Sequence, residues 1–293
     1  MNNKRAPLLV LTAGILWGVI GLFIKRLDAA GFGTMEIVAV RALTTVVLLL
    51  AFLLVYDRSL LKVKVKDIWC FIGTGIFSIV FFNFCYFRAI TLTSLAVAAV
   101  LLYTAPAFVM LMSAVLFREK ITPVKLISLA TTFLGCVLVT GLIGTQNNIG
   151  TAGILAGLGA GLGYALYSVF SRYALDKGYN SLTISFYTFL FALIGTLPLA
   201  NLPVMADVVR ADWTMLPFCL LFGLVSTVVP YIVYTLGLKD MENSTASIIA
   251  SIEPVTAAVL GMAVYGERLT ILQAAGVLLV IGAIVICNIR KKA

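Results

Sequence analysis

Two charged side chains, Glu253 and Arg41, lie well inside long apolar stretches of this 293-residue sequence. The remaining Lys, Arg, Asp and Glu residues fall near the ends of such stretches or between them. A charge at the centre of a bilayer costs about 2.5–3.5 kcal/mol on insertion scales, so it normally faces a cavity or a partner. Glu253 and Arg41 are therefore the first candidates for chemistry.

A carboxylate at Glu253 can hold a substrate ammonium group or carry a coupled proton. Ser251, two residues earlier, joins it as a candidate binding residue. The alternative for Glu253 is a buried acid bonded to a neighbouring helix. Arg41 can bind an anion or act as a gate, but its long stem could also snorkel in a structural role. Pairing of Arg41 with Glu36, about a turn and a half away, is a further option.

Several aromatic and amide side chains fall on the same apolar stretches and together could form the wall of a pocket. Rings at mid-depth are not explained by the aromatic belts that mark the membrane surfaces. Beside Glu253 they would suit a cation or a hydrophobic amine through cation–π contact. Ordinary helix packing is the alternative for each one. The predicted substrate-binding set is Trp17, Asn83, Tyr86, Tyr103, Tyr164, Tyr231 and Tyr234, with Ser251 and Glu253.

Prolines interrupt three of the stretches, at Pro106, Pro230 and Pro254. Each proline lacks an N–H and leaves the carbonyl four residues back without its helical donor. We expect Pro106 and Pro254 to kink their helices, widen a central cavity and act as hinges, which adds them to Glu253 and Arg41 as coupling or gating residues. A static kink is the alternative.

The composition requires these residues to lie in membrane helices. The chain is 62% hydrophobic and only 11% charged, with a mean hydropathy of +1.11, which excludes a soluble enzyme. A membrane-spanning helix needs about 20 mostly apolar residues, and the runs are too long for barrel strands. Ten spans are predicted, at 8–24, 36–55, 68–88, 95–117, 124–143, 153–174, 182–200, 213–237, 246–265 and 270–289.

The net charge of +9 is explained by membrane orientation and not by a nucleic-acid partner. With the N-terminus inside, fifteen Lys and Arg residues fall in inner loops and five in outer loops. Cytoplasmic loops carry this excess in membrane proteins. We therefore predict a multi-pass plasma-membrane protein with both termini in the cytoplasm.

The chain repeats itself with a shift of 147–148 residues. The clearest match is "FREKIT" against "YGERLT". Each run stands at the end of a span that contains a proline. Each half contains five predicted spans, so the two copies cross the membrane in opposite senses. The predicted fold is all-α, with ten transmembrane helices in two inverted five-helix repeats, at 1–145 and 146–293. Inverted repeats around a midplane site are typical of secondary transporters.

Other repeated residues have structural interpretations. Thr122 and Thr270 are suitable N-caps for the fifth and tenth helices. We assign the neighbouring Glu119 and Glu267 to the same turns and not to substrate. The first and sixth spans each contain glycines spaced by four residues, including Gly14 in the first and Gly161 in the sixth. This spacing predicts close helix packing.

With these motifs the chain resembles drug/metabolite transporters of the EamA type. The matching features are Leu16-Trp17-Gly18 followed by Lys25, Arg41 in the second span, and the proline-to-glutamate segments 103–122 and 251–270. The resemblance implies a cavity lined by helices 1–4 and 6–9, with helices 5 and 10 at the periphery. It also implies transport of small metabolites, often export of amino acids, and sometimes of cationic or aromatic drugs. The sequence departs from the pattern at Thr188, which stands where Arg41 has its match.

The favoured function is secondary active transport of an amino acid-like zwitterion or organic cation, as proton-coupled export by alternating access. Efflux of cationic drugs is one alternative, and a channel or structural membrane protein is another. No enzyme activity, metal or cofactor is predicted, because the chain has no histidine, no nucleotide-binding motif and no catalytic constellation. The expected partners are a small-molecule substrate, the lipid bilayer and protons. The chain is expected to be a monomer or a homodimer.

Overall fold

The computed structural model describes residues 5–142 and 150–289, which form an all-α bundle of ten long helices and short connections. Nine of the ten are long and apolar enough to cross a membrane, and the fifth is somewhat shorter. The helices are α1 (Arg5–Ala29), α2 (Thr34–Tyr56), α3 (Val65–Leu92), α4 (Leu95–Leu116), α5 (Pro123–Val139), α6 (Thr151–Asp176), α7 (Ser181–Leu199), α8 (Met215–Lys239), α9 (Asn243–Tyr265) and α10 (Ile271–Asn288).

The ten predicted spans are present, with differences at their ends. α1 extends past the predicted 8–24 in both directions, and α9 begins three residues before 246. α5 ends at Val139 and not at 143, because the chain turns through Gly141 with a φ of 68°. The predicted boundary between the halves, at 145/146, lies outside the described residues, as do Lys4, Arg290, Lys291 and Lys292.

The connectivity defines two faces of the bundle. We call the side where α1 begins and α10 ends the terminal face, and the other side the opposite face. Connections at the opposite face include an amphipathic helix, Leu202–Ala211, between α7 and α8. Glu36, at the start of α2, accepts a hydrogen bond from the backbone N–H of Asn201 at 2.8 Å just before this helix.

The helices pack across the two repeats in matched pairs. α1 packs against α8 and α9 of the second half, while α6 packs against α3 and α4 of the first. The contact of α2 with α8 is matched by the contact of α7 with α3, and α5 lies along α10. In the α5–α10 pair a Cβ at Gly276 would lie 2.7 Å from the carbonyl oxygen of Gly135. These exchanged contacts are the signature of two inverted five-helix repeats.

α4 and α9 each cross the bundle in two segments. The segments of α4 are Leu95–Leu102 and Ala105–Leu116, and those of α9 are Asn243–Ala250 and Glu253–Tyr265. Pro106 and Pro254 stand in the first turn of the second segments, where a proline fits because that turn needs no intrahelical donor. The predicted kinks are therefore full breaks, each bridged by a tight turn.

Two matched glycines pack against these breaks. Gly14 of α1 lies so close to α9 that a Cβ there would be 2.8 Å from the Ala250 carbonyl oxygen, which Pro254 leaves without its helical donor. Gly161 of α6 approaches the Leu102 carbonyl of α4 in the same way, with 3.3 Å for the corresponding Cβ. Close packing at the predicted glycines is confirmed.

α3 and α8 both contain a π-helical stretch in their middle, at Gly73–Val80 and Leu224–Val228. The wider turn in α8 comes directly before Pro230, the third predicted break, which begins its last segment. α3 has no proline here, so its π-helical stretch had no signal in the sequence. Such stretches widen a helix locally and are frequent at functional sites.

We predict that Gly14→Ala destabilises the protein, because its Cβ would lie 2.6 Å from Ile252 Cγ2. Overpacking of this kind costs about 1–3 kcal/mol, more than the gain of about 0.5–1 kcal/mol from replacing a helical glycine. Thermal unfolding in detergent is the measurement. Gly21→Ala in the same helix is the control, because a Cβ there has no atom within 4 Å. Equal melting temperatures for the two variants would contradict the prediction.

Candidate functional site

A small cavity lies in the middle of the bundle, between α1, α3, α6 and α8. Its volume of about 20 Å³ leaves room for a single water molecule. Aromatic rings, two serine hydroxyls and one isoleucine side chain line it. The lining residues are Trp17, Ser78, Ile79, Phe82, Tyr164, Tyr167, Ser168, Tyr231 and Tyr234.

Trp17 is at the centre of the ring cluster around this cavity. Its ring centroid lies 5.2 Å from those of Tyr231 and Tyr234 and 6.1 Å from that of Tyr164. The contacts with Tyr164 and Tyr231 are edge-to-face, the geometry that aromatic quadrupoles favour. Trp17 is 6% exposed, and its indole N–H has no hydrogen-bond partner among the described residues.

Two tyrosine hydroxyls fix the rings between α6 and α8. The Tyr234 hydroxyl is 2.7 Å from Ser168 Oγ, and the Tyr167 hydroxyl is 2.8 Å from Thr235 Oγ1. Both pairs are buried, so each hydroxyl exchanges its bond to water for a protein partner. These bonds hold one wall of the cavity in a defined position.

Glu253 lies at one edge of the ring cluster. It is the first residue of the second α9 segment, so its carboxylate is at a helix N-terminus, where the helix dipole favours negative charge. The Tyr164 hydroxyl donates to Glu253 Oε2 at 3.3 Å. Glu253 is only partly buried, and no Lys or Arg nitrogen of the described residues lies within the 4.0 Å ion-pair distance.

Arg41 lies at another edge of the same cluster. Its guanidinium Nη2 donates to the Tyr231 hydroxyl at 3.4 Å, and its Nε has no partner among the described residues. Arg41 is 8% exposed. The considered pairing with Glu36 is absent, because Glu36 binds the backbone of Asn201 instead. Thr188, the repeat match of Arg41, donates to Thr74 Oγ1 at 2.7 Å and does not reach the cavity.

The other predicted site residues lie further from the cavity. Tyr86 stacks on Phe82, with 5.7 Å between ring centroids. Tyr103 is partly buried against the main core, next to the break in α4. Asn83 and Ser251 are buried and donate to carbonyls of their own helices, Ile79 at 2.7 Å and Ser247 at 3.2 Å. Neither lines the cavity.

Five lining residues were not among the predicted ones. Ser78, Ile79 and Phe82 enter the wall through the π-helical stretch of α3 and the turn after it. Tyr167 follows Tyr164 by three residues, a spacing that places both on one helix face, so the sequence contained a signal for it. Ser78 also had a signal, since it matches Ser226 in the repeat. The missed residues are Ser78, Ile79, Phe82, Tyr167 and Ser168.

Comparison with known proteins adds the family. The EamA-like transporter family model matches the chain twice, at residues 4–141 and 151–289. The chain belongs to the EamA-like transporter family. The two matches correspond to the two five-helix repeats, and they make the protein a multi-pass membrane transporter, with a small-molecule substrate.

Relatives of this EamA protein include other transporters. It is 25% identical to the uncharacterized transporter YxxF of Bacillus subtilis, over 99% of this chain and 92% of that one. The threonine/homoserine exporter RhtA of Escherichia coli is 28% identical over 69% of this chain and 64% of its own length. The chain is also similar to a solved structure with 18% sequence identity. The alignment covers 99% of each chain with a TM-score of 0.79, so the two share the fold.

We predict that Arg41→Met raises the melting temperature. A buried guanidinium with an unpartnered Nε carries a desolvation penalty that an apolar side chain of similar length removes, a gain on the order of 1 kcal/mol. Lys125→Met is the matched control, because that ammonium is equally buried but lies 3.8 Å from Glu119 and 3.3 Å from Glu242. Lys125→Met should lower the melting temperature. A loss of stability in both variants would contradict the prediction.

Proposed function

We propose that this EamA-family protein is a secondary active transporter that exports an amino acid-like zwitterion in exchange for protons. One observation carries the proposal. Two buried donors have no hydrogen-bond partner among the described residues, Trp17 Nε1 in the ring cluster and Arg41 Nε at one edge of it, and the Glu253 carboxylate lies at another edge. A zwitterion has a carboxylate for the donors and an ammonium group for the acceptor.

The donors favour a carboxylate because neither an indole N–H nor a guanidinium can accept a hydrogen bond. A buried donor without a hydrogen-bond partner costs about 1–3 kcal/mol. A ligand that accepts a hydrogen bond from this donor recovers that free energy. Ser78 Oγ, which lines the cavity, is also buried and without a partner among the described residues.

Glu253 is the group proposed to couple transport to protons. Its carboxylate has one hydrogen bond, from Tyr164, and no cation within ion-pair distance among the described residues. It can therefore bind the substrate ammonium when ionised, or a proton when the substrate is absent. Competition between the two at one carboxylate is sufficient for exchange, and the breaks beside Pro106 and Pro254 supply hinges for alternating access.

The direction and location follow from other features. The predicted excess of Lys and Arg on one side supports cytoplasmic termini and a plasma-membrane location. Export agrees with the name of the relative RhtA, a threonine/homoserine exporter. The small cavity, with room for about one water molecule, favours a transporter over a channel, which needs a continuous path.

Efflux of organic cations is the second candidate. The ring cluster of Trp17, Tyr164 and Tyr231 favours it, because aromatic faces attract ammonium groups. Glu253 would serve a cation as well as a zwitterion. The distinguishing residue is Arg41, which helps a carboxylate and repels a cation.

Glu253→Gln should abolish the dependence of transport on a proton gradient, since the amide cannot take up a proton at neutral pH. Purified protein in proteoliposomes is assayed for uptake of labelled amino acids and organic cations, with and without a pH gradient. Asp207→Asn, a carboxylate 73% exposed on the connecting helix, is the control and should transport as the wild type does. An unchanged gradient effect in Glu253→Gln would reject the coupling role.

Arg41→Met should shift selectivity from zwitterions toward cations. Losing a charged hydrogen-bond partner for the substrate carboxylate costs about 1.5–3 kcal/mol, or roughly ten- to a hundredfold in affinity. The measurement is competition by an amino acid and by its decarboxylated amine against the same labelled substrate. The zwitterion proposal predicts that only the amino acid loses potency. Equal losses for both, or preference for the amine in the wild type, would favour the cation efflux alternative.

A further inference from the structure

Glu119, at the terminal face, is a carboxylate with several partners among the described residues. It accepts hydrogen bonds from the backbone N–H of Asn243 at 2.7 Å and of Ser244 at 3.2 Å, and from Ser244 Oγ. Its side chain is 9% exposed, and the Lys125 ammonium lies 3.8 Å away. The sequence pattern assigns Glu119 to its local turn, but its hydrogen bonds reach beyond that turn. It ties the end of α4 to the first turn of α9, in the other repeat.

A matched backbone motif presents Glu119 and Glu267. Before Glu119 the chain turns left-handed at Arg118, with a φ of 56°, and the Glu119 N–H bonds to the Ser113 carbonyl at 3.1 Å. Before Glu267 the same turn occurs at Gly266, with a φ of 67°, and its N–H bonds to the Gly261 carbonyl at 3.3 Å. In both endings the amide bonds to the carbonyl six positions before it, across a left-handed residue, so the two helix ends have the same backbone conformation. The inverted repeat thus offers one carboxylate at each face.

The two carboxylates differ in what they hold. Glu267 is 58% exposed, and its one ion pair, with Lys25, is 3.7 Å long and also exposed. By the repeat, the position for Glu267 that corresponds to Glu119 on α9 is the start of α4. There Ser94 Oγ caps the helix instead and accepts a hydrogen bond from the Val97 N–H. Glu119 therefore holds the start of α9 at the terminal face, whereas Glu267 does not hold the start of α4 at the opposite face.

The basic partners show the same asymmetry. Arg172, at the end of α6, donates to Asn243 Oδ1 at 3.0 Å and to the Met241 carbonyl, so it fastens the start of α9 from a second side. Its repeat match Lys25, at the end of α1, lies 3.6 Å above the Tyr265 ring and makes no such bond to α4. In both matched pairs, Glu119 with Glu267 and Arg172 with Lys25, the first-named residue bonds to the start of α9 and the second makes no such bond to the start of α4.

We propose that Glu119 and Glu267 are reciprocal latches of the transport cycle. In the present state Glu119 closes the terminal face by capping α9. In the inverted state Glu119 releases α9, and Glu267 caps the start of α4, at Leu95 and Ala96, the residues that match Asn243 and Ser244. This inference rests on the alternating access in the proposed function, and it assigns a positioning role to residues that do not contact the cavity.

The test uses a thiol placed behind the latch. Ser247 is 4% exposed, one helical turn into α9 from the bonds to Glu119. Ser247→Cys should label slowly with a maleimide in purified protein, and adding Glu119→Ala should speed labelling on the order of tenfold or more, since several charged hydrogen bonds are lost. Glu119→Ala should also lower the melting temperature by several degrees. The same chain without Ser247→Cys corrects for the native thiols, of which only Cys85 is not fully buried.

Glu267→Ala is the matched control. It removes a group that in this state makes an exposed ion pair with Lys25 and does not bond to α4, so the melting temperature should stay nearly unchanged and Ser247→Cys should stay protected, while transport falls as it does in Glu119→Ala. If Glu119→Ala does not fold, Ser244→Ala removes one of the three bonds and should give a smaller change in the same direction.

Equal labelling of Ser247→Cys in the Glu119 and Glu267 variants would overturn the proposal. So would a labelling rate in Glu119→Ala that matches the wild-type background. Labelling and melting need no substrate, so they test the latch even if the proposed zwitterion or proton coupling proves wrong. Conversely, intact coupling in Glu253→Gln would reject that part of the function without affecting the latch.

Discussion

The structure depends on how two broken helices are accommodated where water is absent. A carbonyl released by a proline must be approached closely by protein, and only glycine lets another helix backbone come near enough. Gly14 and Gly161 do this at Ala250 and Leu102. Three residues after each glycine, on the same helix face, stand Trp17 and Tyr164, which line the cavity. The contact that makes the breaks tolerable therefore also aims the aromatic side chains at the site.

The two repeats share this skeleton but not its chemistry. Prolines, glycines and helix endings are matched, whereas the charges at the cavity edge are not: Glu253 stands where the first half has Ala105, and Arg41 where the second has Thr188. One charge comes from each half, on different sides of the ring cluster. The matched framework thus carries unmatched side chains, an acid at one edge of the ring cluster and a base at another, and the proposed zwitterion has the complementary charges.

Much of the fold was predictable because the bilayer dictates it. Span length, apolar composition and the repeated proline-to-glutamate pattern fix ten helices and their order. The site was predictable only in part: Trp17, Tyr164, Tyr231 and Tyr234 line the cavity, but Ser78 and Phe82 reach it through a π-helical stretch that no proline announces. The contact of Glu119 with α9 was not predicted, because its partners lie 124 and 125 residues away and no local pattern encodes a contact between repeats.

The proposed latch and the candidate site are joined by one short helical segment. Glu119 holds the beginning of Asn243–Ala250, and Glu253 begins the segment that follows the break. Eight residues of helix span about 12 Å and move as a rigid rod, so displacement of Asn243 carries the break with it. The carboxylate at the break is held by a single bond from Tyr164, and this bond responds to any change in the angle between the segments. In the transport cycle proposed above, this segment would link occupancy at Glu253 to closure at Glu119, as coupling between a site and a gate requires.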